Sequence, residues 1–367
     1  MLVKFALRHV WTKPVRLRLF FASSRLMRDF GIARLVVRTR IARLFSKRIE
    51  FAFALLDSSR RSEMRSVPPR GSGWVRSLDS KLTRTSFAPT RYREVVLTSS
   101  HGVSADQTGN SSRSVLLFSG CVGEGLFAHV NRATERVLRV NGFEIQTPRQ
   151  QVCCGALHAH AGDLEGAREL ARRNIEAFGD SQSAPIITNA GGCGAMLVSY
   201  DHLLADDKEF AEAAAQFSKR VKDVAEEIDN DVADSHAATT DVVTYDASCH
   251  LLYGQHAADA SLRMLRSIND LNFVDLKGAE RCCGAAGIYN LLQPELSGRV
   301  LREKLAAIKE TGASVLTTGN PGCQMQIGAG ACLAGMKLHV RHPVEVLDDA
   351  YTRAGMYSDD QVSSTAQ

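Results

Sequence analysis

The stretch that decides the fold is CCGALHAHAGDLEGARELARRNIEAFGDSQSAPIITNAGGC, residues 153–193. An adjacent cysteine pair and a glycine open it. Apolar residues at helical spacing over about 164–178 predict a helix, and the run 184–189 predicts a short buried strand that ends in Gly191, Gly192 and Cys193. Upstream, the apolar run 115–118 predicts a strand closing on Ser119, Gly120 and Cys121. A helix over about 126–140 and a strand after Gly142 then lead into the pair.

The same order returns further along. A charged stretch, 207–228, predicts one helix, and 229–240 is loose. A strand over 242–246 precedes Cys249, and a helix over about 257–268 and a strand near Phe273 precede Cys282, Cys283 and Gly284. Gln293-Pro294-Glu295 reads as a helix start, with the helix over about 297–310, and a strand over 314–318 leads to Asn320, Pro321, Gly322 and Cys323. Equivalent cysteines lie 128 to 130 residues apart, so eight of the nine fall into two matching sets. Chance placement does not keep register over three spacings. The predicted fold is α/β, with two pseudo-repeated units on parallel sheets, related by an approximate twofold and preceded by basic helices.

Composition narrows the class. The 367 residues are 44% hydrophobic and 23% charged, ordinary for a soluble globular protein, and no stretch approaches the roughly 20 apolar residues of a membrane span. Nine cysteines without a leader pattern point to a reducing, cytoplasmic compartment, where clustered cysteines are more often metal ligands or redox groups than bridges. The net charge of +5 is uneven: residues 1–50 hold 13 Lys and Arg against Asp29 and Glu50, leaving a mildly acidic remainder, which argues against a nucleic-acid-binding body.

Read at helical period, the basic head gives two or three amphipathic helices broken near Pro14 and Gly31. Three readings fit it: helices packed on the body or a partner, docking on an anionic membrane surface, or a targeting segment. The expected organisation is a basic helical segment 1–57, a polar linker 58–112, a first unit 113–228, a connector 229–240, a second unit 241–350 and a flexible tail 351–367.

Each single cysteine follows the carboxyl end of a predicted strand, the edge where open α/β sheets bind ligands. Cys121, Cys153, Cys154 and Cys193 form one candidate metal set and Cys249, Cys282, Cys283 and Cys323 the other. Adjacent cysteines ligate one small tetrahedral ion only with strain, whereas a multi-iron cluster offers them separate atoms, so a cluster is preferred with zinc as the alternative. Gly155 and Gly284 would let backbone N–H groups reach the sulfurs. Buried small hydrophobes and a dithiol switch are the competing readings. Cys332, in an apolar run without a counterpart, reads as core. His250, His158 and His160 are candidate residues beside the centres, His250 first because it adjoins Cys249; Asn189, Asn290 and Asn320 read as turn holders.

GCVGEGLF at 120–127, CCGALHAHAGD at 153–163, NAGGCGAML at 189–197, CCGAAGIYNLLQPELS at 282–297 and TGNPGCQMQI at 318–327 resemble the iron–sulfur subunit of bacterial glycolate oxidase. Lactate-utilisation iron–sulfur proteins and the cysteine-rich (CCG) domain of heterodisulfide reductase are similar in the same segments. The resemblance implies an electron-transfer subunit with a 4Fe–4S type cluster. It would work with FAD-containing dehydrogenase subunits on glycolate or a related 2-hydroxy acid and pass electrons toward quinone at the inner face of the cytoplasmic membrane, the isolated chain being inactive. It also implies two departures. Residues 1–120 hold no cysteine where the family carries a ferredoxin-like domain, so that segment is expected upstream or on another polypeptide. Met196 and Gln326 stand where heterodisulfide reductase has a fifth thiolate. A heterodisulfide-reductase-like thiol–disulfide reaction and a metal-free assembly scaffold are the alternative functions. No G-x-G-x-x-G follows a strand to suggest a nucleotide site.

Overall fold

Pro14 presets the first helical turn and Gly31 sits at φ +75°, so the basic head breaks where its sequence breaks. In the computed structural model, which describes residues 7–61, 113–179, 183–229, 232–237 and 239–357, the head comprises α1 (Pro14–Asp29), α2 (Ile32–Thr39), α3 (Ile41–Phe45) and α4 (Lys47–Ser58). Its inner stripe, including Phe21, Ala33, Val37 and Ala54, is buried, and Val37 and Ala54 pack with Ala329 of the body. The outer stripe carries arginines beside exposed apolar side chains. Of the expected linker 58–112, residues 62–112 lie outside the described residues.

The first repeat runs β1 (Arg113–Leu117), α5 (Cys121–Leu126), α6 (Ala128–Val140), β2 (Phe143–Gln146), α7 (Ala156–His160), α8 (Leu164–Ala177), β3 (Ile186–Thr188), α9 (Gly191–Val198), α10 (Tyr200–Leu203), α11 (Ala211–Arg220), β4 (Val221–Asp223) and α12 (Val224–Ile228). All its strand pairs are parallel, in the order β2-β1-β3-β4. Val115, Leu117, Ile186 and Ile187 are fully buried, as expected of strands covered on both faces. Each such side chain contributes roughly 1.5–3 kcal/mol.

The second repeat runs β5 (Val243–Tyr245), a π-helical turn (His250–Gln255), α13 (Ala258–Arg266), α14 (Tyr289–Leu292), α15 (Pro294–Glu310), β6 (Val315–Thr317), α16 (Pro321–Leu333), β7 (His339–Arg341) and α17 (Pro343–Arg353). Its parallel sheet has the order β5-β6-β7. In both repeats a three-residue edge strand ends in a helix with a capping box, Asp223 with Glu226 and His342 with Glu345. The repeats share one core, in which Val130 and Val137 of α6 join Val344, Leu347 and Tyr351 of α17. The buried Arg136–Asp348 pair, 2.6 Å at its shortest, ties the same two helices.

Several sequence expectations change. The charged stretch 207–228 is not one helix: Val221 and Asp223 turn inward with Lys222 outward, forming β4 against β3. The expected strand near Phe273 is reduced to a single parallel bridge from Phe273 to Val243. Tyr351, expected at the start of a flexible tail, is fully buried in α17 and bonds Asn141. Cys332 is exposed, because the neighbouring Ala329 and Ala331 take the inward face of α16.

Candidate metal centres

Parallel strands deliver the single cysteines to one edge of each sheet. Cys121 opens α5 after β1, and Cys193 lies in the first turn of α9 after β3. In the second repeat Cys249 follows β5, and Cys323 lies in the first turn of α16, whose N1 residue is Pro321. The pairs Cys153–Cys154 and Cys282–Cys283 arrive on loops from the neighbouring crossover. Gly155 at φ +90° and Gly284 at φ +88° turn these loops back; a Cβ on Gly284 would stand 2.7 Å from the Ser297 carbonyl oxygen.

The sulfurs gather in pairs. Cys121 Sγ lies 3.3 Å from Cys153 Sγ and Cys154 Sγ lies 3.4 Å from Cys193 Sγ. Cys283 Sγ lies 2.7 Å from Cys323 Sγ. Cys153, Cys154, Cys283 and Cys323 are buried, Cys121, Cys193 and Cys249 half-buried, and Cys282 exposed. Among the described residues no three His, Cys, Asp or Glu side chains converge as a single ion would require.

Electrostatics separate the two sets. The bond to Cys153 and then burial hold the Cys121 thiol well above its ordinary range. Cys153 is bonded by Cys121, but Cys154 and burial outweigh that and push it up; Cys154, bonded by Cys153, is raised by Cys193 and burial. In the second set the hydrogen bonds from Cys249 and Cys283, helped by the Gly284 N–H at 3.3 Å and by Lys304, pull Cys282 far down. Cys249 and Cys283 rise correspondingly, led by their bonds to Cys282. Cys121, Cys153 and Cys154 therefore keep their protons unless a cation replaces them, and metal binding there would release protons. Buried thiols, N–H groups at the sulfurs and two cysteines per loop suit a polynuclear thiolate centre. The indole N–H of Trp11, buried without a nitrogen or oxygen acceptor, stands at Cys121 and favours its charged form.

A largely apolar chamber of about 440 Å³ opens beside the first set, lined by Cys121, Cys153, Cys154, Cys193, His160 and His250. The His160 and His250 rings are 5.7 Å apart, and burial lowers the pKa of both. His158 is engaged elsewhere: fully buried, its Nδ1 lies 3.0 Å from Asp163 Oδ2, and Arg8 on the same carboxylate holds that group far below its usual range. Residues two apart on a helix point to different sides, so on α7 the residue facing the chamber is His160. That spacing was the available signal.

The two positions without a fifth thiolate have other work. Gln326 is fully buried, donating to Ser297 Oγ and accepting from Asn290, while Ser297 donates to the Gly284 carbonyl. Met196, half-buried, packs against the first repeat's core. Gln326 thus braces the Cys282–Cys283–Gly284 turn. The two sets meet through their turns: Gly191 N–H donates to Gly319 O at 2.8 Å, and Gly192 N–H to Asn320 Oδ1 at 3.3 Å.

The profile of the CCG cysteine-rich domain matches residues 115–198 and again 243–328, the two segments that carry these sets. The chain belongs to this CCG cysteine-rich domain family. It is similar to a probable glycolate oxidase iron–sulfur subunit of Bacillus subtilis, 42% identical over 247 residues, covering 66% of this chain and 56% of that relative. It therefore spans little more than half of that protein. Lactate utilization protein A of Oceanobacillus iheyensis is 30% identical over 236 residues, 64% of this chain and 96% of the relative. The same protein of Shouchella clausii is 29% identical over 236 residues, 64% and 98% of the respective lengths. In this CCG protein both domains therefore present thiols at the carboxyl edge of a parallel sheet.

Proposed function

We propose that this chain is the iron–sulfur electron-transfer subunit of a flavin-dependent dehydrogenase complex acting on glycolate or a related 2-hydroxy acid. The observation that carries the reading is the delivery of eight thiols, in two equivalent sets, to the carboxyl edges of two parallel sheets. The similarity to a probable glycolate oxidase iron–sulfur subunit and to lactate utilization protein A supports it. Hydride leaves the hydroxy acid on an FAD-containing partner subunit, and electrons pass through this chain toward a quinone-linked acceptor; alone, the chain does not turn over glycolate. Its place is the cytoplasmic face of the membrane, held peripherally. Among the described residues no helix is long and apolar enough to cross a bilayer.

An iron–sulfur cluster, here of 4Fe–4S type, supplies one-electron chemistry when bound. Cys121, Cys153, Cys154 and Cys193 would hold one, and Cys249, Cys282, Cys283 and Cys323 the other. The protein's own contributions are N–H groups at the sulfurs, from Gly284 at Cys282 and Gly155 at Cys153, and apolar walls that exclude water. The test is iron, acid-labile sulfide and zinc content with electron paramagnetic resonance on anaerobically purified protein. About four to eight irons with matching sulfide are expected; zinc alone, or no metal, overturns the reading.

One observation favours a second reading, thiol–disulfide exchange. Cys282 is exposed and its thiolate is stabilised beside Cys249. Cys282 would attack a small disulfide, expelling one thiolate, and Cys249 would then close on Cys282 and expel the other, leaving the two cysteines oxidised and the substrate reduced. Stoichiometric thiol release by reduced, metal-free protein, lost in Cys282→Ser, is the result it requires.

A further inference from the structure

We propose that the cationic groove between the starts of α4 and α15 docks this protein on an anionic phospholipid bilayer, receiving headgroup phosphates. This names the membrane contact behind the peripheral placement proposed above, and it does not depend on the metal centres.

The groove has a volume of about 590 Å³ and is lined by Arg40, Arg43, Lys47, Arg48 and Arg302. Glu50 and Glu295 also line it, so positive charge remains in excess, and among the described residues none of the five cations has a carboxylate partner. The rim is the second observation. Leu44 and Phe45, which fall between the lining residues Arg43 and Ser46, are 83% and 82% exposed, and Leu291 of the lining and Leu296, between Glu295 and Ser297, are each 51% exposed. Eleven of the 17 exposed large hydrophobics among the described residues fall within residues 15–49, interleaved with the arginines. A scattered exposed leucine needs no explanation, but apolar side chains clustered around unpaired cations match the interface of a charged bilayer, where the head enters the phosphate layer and the rim the acyl boundary. A free phosphate would use the cations and leave the rim without purpose. An anionic bilayer satisfies both.

The test is sedimentation of the full chain with vesicles of phosphatidylcholine alone or with 30% phosphatidylglycerol (on the order of a physiological anionic fraction). Binding is expected only to the anionic vesicles and should fall as salt rises. R43Q/R48Q should weaken it about 25-fold, from roughly fivefold per cation, and R43K/R48K should restore it. L44S/F45S should weaken it at every salt concentration. These side chains are exposed, so unchanged circular dichroism and melting show that the variants fold. Equal binding to neutral vesicles overturns the proposal. So does competition by inorganic phosphate at concentrations too low to screen charge, which marks a free-anion site. Binding of these residues to a purified flavoprotein subunit, with no vesicle binding, also overturns it. Iron content is measured on the same samples: metal loss with intact vesicle binding would fault the electron-transfer reading alone.

Discussion

Lys304 and Asp246 form an ion pair 2.7 Å long with both side chains 1% exposed. Lys304 also donates to the carbonyls of Gly278 and Ala279 on the loop leading to Cys282, and Thr318 donates to Asp246. The helix position 130 residues earlier holds Asn174, which bonds the carbonyl of Cys153. One repeat therefore braces its cysteine loop with an amide and the other with a buried charge pair. Lys304→Met leaves a buried carboxylate unpaired and should cost about 3–5 kcal/mol in urea unfolding, whereas D246N/K304M should cost clearly less. Equal losses in both proteins would show that the pair is not the source.

The two thiol sets should load separately. C153S/C154S should retain about half the iron of the parent, as should C282S/C283S, and the quadruple variant none. Complete loss in either double variant would mean that the sets build one shared centre.

His342 caps α17 through Nδ1, which accepts the Val344 N–H at 3.0 Å, and burial pushes its pKa down to about 4 from 6.5. Between those values the unfolded chain binds a proton that the folded chain refuses, so this residue's contribution is full above pH 6.5 and fades toward pH 4. Asp223, raised by burial to about 8, slopes the opposite way. His342→Asn keeps a capping side chain and removes the titration. Relative to that variant, the parent should lose about 3 kcal/mol on going from pH 6.5 to 4; parallel pH profiles would contradict the assignment.

A methyl group on Gly319 would stand 2.4 Å from Leu251 Cδ1. Gly319→Ala should cost about 1–3 kcal/mol through overpacking, read from the urea midpoint. Leu251→Ala makes room, so the double variant should be more stable than the sum of the single losses predicts.

What the sequence disclosed was whatever repeats or alternates strongly: the cysteine register, the three-residue cores of β1, β3, β5 and β6, and the breaks at Pro14 and Gly31. What it concealed was short or one-sided. β4 is three residues long, with only Val221 and Asp223 facing inward amid charges that also suit a helix. Cys332 sits among small residues, but only their inward members are core. His158 and His160 are separated by their sides of a five-residue helix, which composition does not reveal. The role of Gln326 depends on Ser297 and Asn290, each about 30 residues away in sequence or more.

The hydrogen bond from Gly191 to Gly319 joins the equivalent turns of the two repeats, those that lead into Cys193 and Cys323. Separate subunits related by a twofold axis likewise bring the same surface of each copy together, and such an interface is self-complementary. This chain thus joins within itself two like surfaces, as a homodimer joins them between copies. A polypeptide holding only one of these repeats would leave that face bare and should pair with a second copy of itself.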